Sequence, residues 1–173
     1  VEIISNGDTV VNDVTADGDG ELDAAVIDID VTGGRLDVRG TVIAENISDG
    51  DARIRITARD TITLDGADID AIVNGIGDAT IEIKSRGHVE SEVSQDIFLK
   101  DSSVNAFAEG GDSLSVVTFS APNGNIFSES SLVTGTYFGA FARNNIGTAS
   151  EPITIDADAV GAYSSGSGDI FIQ

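Results

Sequence analysis

The chain of 173 residues carries 30 Asp and Glu against 9 Lys and Arg, a net charge of −21, with 40% hydrophobic residues, 20 Gly, 2 Pro and no Cys, Met or Trp. The apolar content supports a core and argues against disorder, the length suits one domain over 1–173, and the negative field argues against nucleic acid and anionic lipid surfaces as partners. Without Cys there is no disulfide, thiolate metal site or Cys nucleophile, and no stretch reaches the roughly 18 apolar residues of a membrane span.

The first feature in chain order is acidic: Asp13, then Asp17-Gly18-Asp19-Gly20-Glu21-Leu22-Asp23. Oxygen donors at alternate positions of a Gly-rich loop suit a hard cation, so Asp17, Asp19, Glu21 and Asp23 are candidate Ca²⁺ ligands. The pattern is not an EF-hand, because the sixth and twelfth positions counted from Asp17 are Leu22 and Asp28 rather than Gly and Glu. A solvated acidic turn would read the same way.

Strand signals follow with period-two alternation of β-branched residues: Val26 to Val31, Arg53 to Ile56, Thr61 to Leu64, Thr80 to Ile83 and Ile153 to Ile155. Between them stand turn pairs such as Gly33-Gly34, Asn74-Gly75 and Asn123-Gly124, so the chain is predicted to be all-β. Gly-Asp recurs at Gly50-Asp51, Gly77-Asp78, Gly111-Asp112 and Gly168-Asp169, at intervals of 27, 34 and 57 residues. The longest interval is close to two repeats, with one marker expected to be lost near Asn123 to Phe127. Ala25 to Ile29, Ala52 to Ile56 and Ala79 to Ile83 align without a gap. A second strand is predicted after each, at Leu36-Asp37-Val38, Ile62-Thr63-Leu64 and Val89-Glu90-Ser91.

A repeat of about 27 residues with two or three short strands predicts a parallel β-helix, in which thin units bury their apolar faces only by stacking. Five to six units at the roughly 4.8 Å strand spacing would form a rod of about 25–30 Å. Stacking predicts an inward Ile27-Ile54-Ile81 ladder and an outward Asp28-Arg55-Glu82 ladder of alternating charge. A β-sandwich also alternates, but the gapless match favours the stack. All nine aromatics lie beyond residue 97, which predicts wider or less regular units in the carboxyl half.

Other candidates are weaker. Asp65, Asp68 and Asp70, with Asp37 one repeat earlier, would suit a carbohydrate-cleaving β-helix, which needs carboxylates at fixed separation. The Asp-rich repeats hold no aromatic sugar platform, so a non-enzymatic reading is preferred. His88, the single histidine, has no second His or Cys to join it in a metal cluster and reads as a surface residue. Tyr137, Phe138 and Phe141 place rings on both faces of one strand and form a candidate interaction surface.

The segment Asn144-Asn145-Ile146-Gly147-Thr148, then Pro152-Ile153-Thr154-Ile155 and Gly168-Asp169-Ile170-Phe171-Ile172, resembles an element of filamentous-haemagglutinin-like bacterial exoproteins. The resemblance implies a right-handed β-helix and an extracellular, cell-surface location. The chain is accordingly read as a spacer, adhesin or fibre segment, with copies of itself, flanking solenoid units, or host or neighbour-cell glycans or proteins as expected partners, while partner specificity does not transfer from the resemblance. The chain begins without an initiator Met and is expected to be part of something longer. Its last residues read as the first strand of a new unit, so Ile170, Phe171 and Ile172 are candidates for end-to-end pairing in a self-assembling filament.

Overall fold

The computed structural model describes residues 1–19, 24–87 and 95–173. It is all-β, and no helix among the described residues is long and apolar enough to cross a membrane. Among the described residues fourteen strands occur in order: β1 Glu2–Ser5, β2 Thr9–Val11, β3 Val14–Gly18, β4 Ala25–Val31, β5 Leu36–Asn46, β6 Ala52–Ala58 and β7 Ile62–Val73. The rest are β8 Ala79–Ser85, β9 Ile97–Lys100, β10 Ser103–Ala108, β11 Ser115–Ala121, β12 Ile126–Glu129, β13 Leu132–Ala142 and β14 Thr154–Ser164.

Every pairing between these strands is parallel, and all of them belong to one continuous sheet. The pairings sort into three rows. Row one stacks β1, β4, β6, β8, β11 and the later halves of β13 and β14. Row two stacks β2, the first residues of β5 and β7, β9 and β12, and continues through bridges from Ile126 to Ile146 and from Ile146 to Ile170. Row three stacks β3, the later parts of β5 and β7, β10, and the first residues of β13 and β14. Each passage of the chain through the three rows forms one level, and levels pile on one another, an arrangement consistent with a β-solenoid.

Alternation along each strand turns one side inward. In row one Ile27, Ile54, Ile81 and Val117 stand in register, all at 0% exposure. Beside them run Ile29, Ile56, Ile83 and Phe119. Row two contributes Leu36, Ile62, Ile97, Ile126 and Ile146, and row three contributes Val42, Ile69, Val104 and Val133. All of these side chains belong to one apolar cluster, so no level owns a separate core.

The predicted outward charge ladder is present, with Arg55 in register between Asp28 and Glu82. Its Nε donates to Asp28 Oδ1 at 3.1 Å and its Nη2 to Asp28 Oδ2. This hydrogen bond, and then the Asp28 charge, hold the guanidinium above its ordinary value. The pair is substantially exposed, so its contribution to stability is about 1 kcal/mol at most.

The repeat is less regular than the sequence suggests. Residues in register are 27 apart from β4 through β8, but Ile83 pairs with Phe119, an offset of 36, and Phe119 then pairs with Ala140, an offset of 21. The shortening has a local cause. β13 passes from row three into row one without a turn, pairing with β10 through Leu132 to Thr134 and with β11 through Tyr137 to Ala142. The lost Gly-Asp marker therefore corresponds to the interior of β13 around Gly135-Thr136, not to Asn123 to Phe127, which form a corner and the start of β12 in row two. Two further readings are corrected. The row-two partner of Ile62-Thr63-Leu64 is Ile97-Phe98-Leu99, not Val89-Glu90-Ser91, which lies outside the described residues. Gly168-Asp169 precedes Ile170 in row two, so this ending is not the first strand of a level.

The corners explain the abundance of Asp and Asn. At the row-three to row-one corner, Asp51 Oδ1 accepts the Asp78 N–H at 2.9 Å, and Asp78 Oδ1 accepts the Leu114 N–H at 2.9 Å. At the row-one to row-two corner, Asp96 Oδ1 accepts from the Asn125 N–H at 2.6 Å, Asn125 Oδ1 from Asn145 at 3.1 Å, and Asn145 Oδ1 from Asp169 at 3.0 Å. In each bond the side chain belongs to the earlier level and the N–H to the next. Corner amides that no strand pairs thereby acquire acceptors. Replacing Asp78 by alanine is expected to cost about 1–3 kcal/mol by leaving the Leu114 N–H uncapped, whereas asparagine retains most of that stability. Urea unfolding of the two variants checks this.

Candidate functional site

The outer side of row two carries two adjoining hollows. One hollow of about 520 Å³ is lined by Asp8, Val10, Arg35 and Asp37 among others, and a second of about 390 Å³ by Phe127, Lys100, Glu129 and Glu151 among others. Thr63 and Phe98 line both, so the two are compartments of one groove running along the stack.

The groove follows from the alternation of row two. Where the Ile97 and Ile126 side chains turn inward, the intervening Phe98 and Phe127 turn outward, in register with each other. Their rings stack with centroids 5.1 Å apart and planes 28° from parallel. Below them the same outward column holds Thr63, Asp37 and Val10. Two residues further along each strand, Lys100 stands in register with Asp65 and Glu129, and its Nζ lies 3.7 Å from Asp65 Oδ1. The late end of the groove is walled by the turn at Thr148 to Glu151, where Thr148 Oγ1 accepts the Glu151 N–H at 3.0 Å.

The residues singled out in the sequence are scattered by comparison. Asp17 lies on β3, exposed and in register with Glu45, and Asp19 is exposed beside it, while Glu21 and Asp23 lie outside the described residues, as does His88. Among the described residues no group of three or more His, Asp or Glu side chains comes together as a metal centre would need. Asp37 and Asp65 face outward on row two, whereas Asp68 and Asp70 belong to row three, so the acidic set is divided by the corner at Gly66. Partial burial, and then the neighbouring Asp68 charge, push the Asp70 carboxyl above its ordinary range, opposed by a hydrogen bond from Asn105. The folded chain thus holds this proton more tightly than the unfolded chain, and Asp70 removes stability as pH rises through that window.

The aromatic strand divides by face. Phe138 is 3% exposed and packs edge-on against Phe119 at 5.5 Å, so it belongs to the core and not to an interaction surface. Tyr137 is exposed on the outer side of row one, where Phe141 also lies, stacked on Tyr163 at 5.7 Å. Ile170 bridges to Ile146 and Ile172 to Ile153, with the Phe171 N–H donating to Ile146 O at 2.7 Å between them. All three are therefore engaged with the preceding level, and Ile170 remains substantially exposed.

The groove itself was missed in the sequence. Its signal was present, because Phe98 and Phe127 each follow an inward isoleucine at the same strand position. The unequal row offsets concealed that equivalence. Comparison of the chain with protein-family models, curated proteins and solved structures finds no match.

Proposed function

We propose that the chain is a structural, non-enzymatic segment of an extracellular bacterial surface protein of the filamentous-haemagglutinin-like kind, acting as a stiff spacer that carries an adhesive face. The stack is read as a right-handed parallel β-helix with a basic unit of about 27 residues, in line with the handedness of parallel crossovers. The observation that carries this reading is the unbroken parallel pairing of all three rows around one shared apolar core. Such a stack resists bending because neighbouring levels are joined by backbone hydrogen bonds on every row. The acidic exterior keeps it soluble and offers oxygen donors to divalent cations such as Ca²⁺.

A second reading, a filament subunit, draws on β14. Among the described residues it pairs with β13 only, and Val160, in register with the buried Phe138, is 49% exposed. A further level, from flanking sequence of the same polypeptide or from another copy, would cover this edge.

Electron microscopy of the purified chain in calcium-containing buffer, with an assay for cleavage of acidic polysaccharides, tests both readings. Discrete particles without cleavage are the expected result for a spacer. Filaments with an axial repeat of about 4.8 Å would favour the subunit reading. Cleavage abolished by replacing Asp65, Asp68 and Asp70 with alanine would overturn both.

A further inference from the structure

The Phe98–Phe127 compartment of the groove has a chemistry that a spacer role does not require. At about 390 Å³ it has room for a side chain or a small ligand, and the stacked rings form its apolar wall. Its one cation among the described residues, Lys100, already lies 3.7 Å from Asp65. Its two carboxylates, Glu129 and Glu151, are exposed and have neither a side-chain hydrogen bond nor an ion pair among the described residues. The chain around them carries a net charge of −21.

We propose that this compartment binds an arginine side chain of an extended, cationic protein partner, with the guanidinium plane on a ring face that the Phe98–Phe127 stack leaves free and its N–H groups donating to Glu129 and Glu151. A guanidinium matches both walls at once. It is planar and weakly hydrated, so it stacks on aromatic rings, and its fork of donors fits carboxylates. A lysine ammonium would satisfy the carboxylates without the stacking. An acidic glycan would be repelled by the net charge, and a neutral sugar would gain nothing from the carboxylates as charges. The groove continues past Thr63 toward Asp37 and Asp8, but Arg35 also lines that end and Asp37 lies 3.5 Å from Arg39, so the Phe98–Phe127 compartment is the one that takes the arginine.

The test is a titration of the isotope-labelled chain with a blocked tri-arginine peptide at about 150 mM salt, followed by amide chemical shifts, conditions that screen diffuse attraction to an acidic surface. Shifts concentrated at Phe98, Phe127, Glu129, Thr148 and Glu151 are expected. The double variant Phe98→Leu with Phe127→Leu keeps the net charge and the apolar bulk, and should bind the peptide about tenfold more weakly. The double variant Asp156→Asn with Asp158→Asn, whose side chains are exposed on β14 away from the groove, should bind within about twofold of the parent. Thermal melts of both variants establish that they fold. Shifts spread over the whole surface, or equal weakening by the two double variants, would overturn the proposal. So would a titration in which cellotetraose moves the groove residues and the peptide does not, which would make this a sugar site.

Discussion

Replacing Ile54 by alanine is expected to lower the free energy of unfolding by about 2–5 kcal/mol, a large share of the stability of a chain this size. Ile54 is 0% exposed and stands in register between Ile27 and Ile81, themselves 0% exposed. Its neighbours cannot close over the cavity, because the strands that carry them are held in parallel ladders on both sides. The same change at Ile3, which stands in register with Ile29 on β1 and is only partly buried, should cost about 1 kcal/mol. Urea unfolding of the two variants measures the contrast. An Ile54→Ala cost no larger than that of Ile3→Ala would contradict a core shared between levels.

Replacing Gly77 by alanine is expected to cost about 1–3 kcal/mol, although alanine is the mildest possible addition. A β-carbon there would lie 2.2 Å from the Gly50 carbonyl oxygen, a backbone atom of the preceding level. Neither side can retreat freely. The Gly50 N–H donates to Ile76 O at 2.8 Å, and the Asp78 N–H donates to Asp51 Oδ1 at 2.9 Å, so the flanking residues pin the two corners together. Gly111→Ala is the control, because nothing lies within 4 Å of a β-carbon at that turn, and its effect should stay within about 0.5 kcal/mol. Equal midpoints for the two variants in thermal or urea unfolding would mean that the corner contact at Gly77 is looser than the structure shows.

Ile27, Ile54 and Ile81, with Asp28, Arg55 and Glu82 alternating outside them, were legible in the sequence because three successive levels share one spacing and one alternation. Legibility ended where the spacing changed. Leu64 pairs with Leu99, 35 residues later rather than 27, so their equivalence cannot be found by counting forward. In β13 a corner disappears altogether, and with it the Gly-Asp pair that marked the others. The aromatic residues were noticed without their arrangement. Phe119 and Phe138 fill neighbouring core columns, and Ala140 stands in register with Phe119, a compensation of large against small that only the register reveals. In the sequence the carboxylates suggest calcium ligation, sugar chemistry or the Asp28-Arg55-Glu82 charge ladder. Asp51, Asp78 and Asp96 instead act on the backbone of the next level, a role that depends on which N–H lies above each side chain.

The corner hydrogen bonds of Asp51, Asp78, Asp96, Asn125 and Asn145 all run the same way, oxygen from the earlier level and N–H from the later. A part-formed stack is consequently asymmetric. Where these Asp and Asn side chains stand, its later end displays oxygens and its earlier end amides, whereas at the row-two to row-three corner the sense is reversed, the Ala67 N–H donating to Ser102 Oγ at 3.1 Å and the Ser102 N–H to Ser131 Oγ at 3.0 Å. Copies of the stack could therefore match corner groups only head to tail, a later end meeting an earlier one.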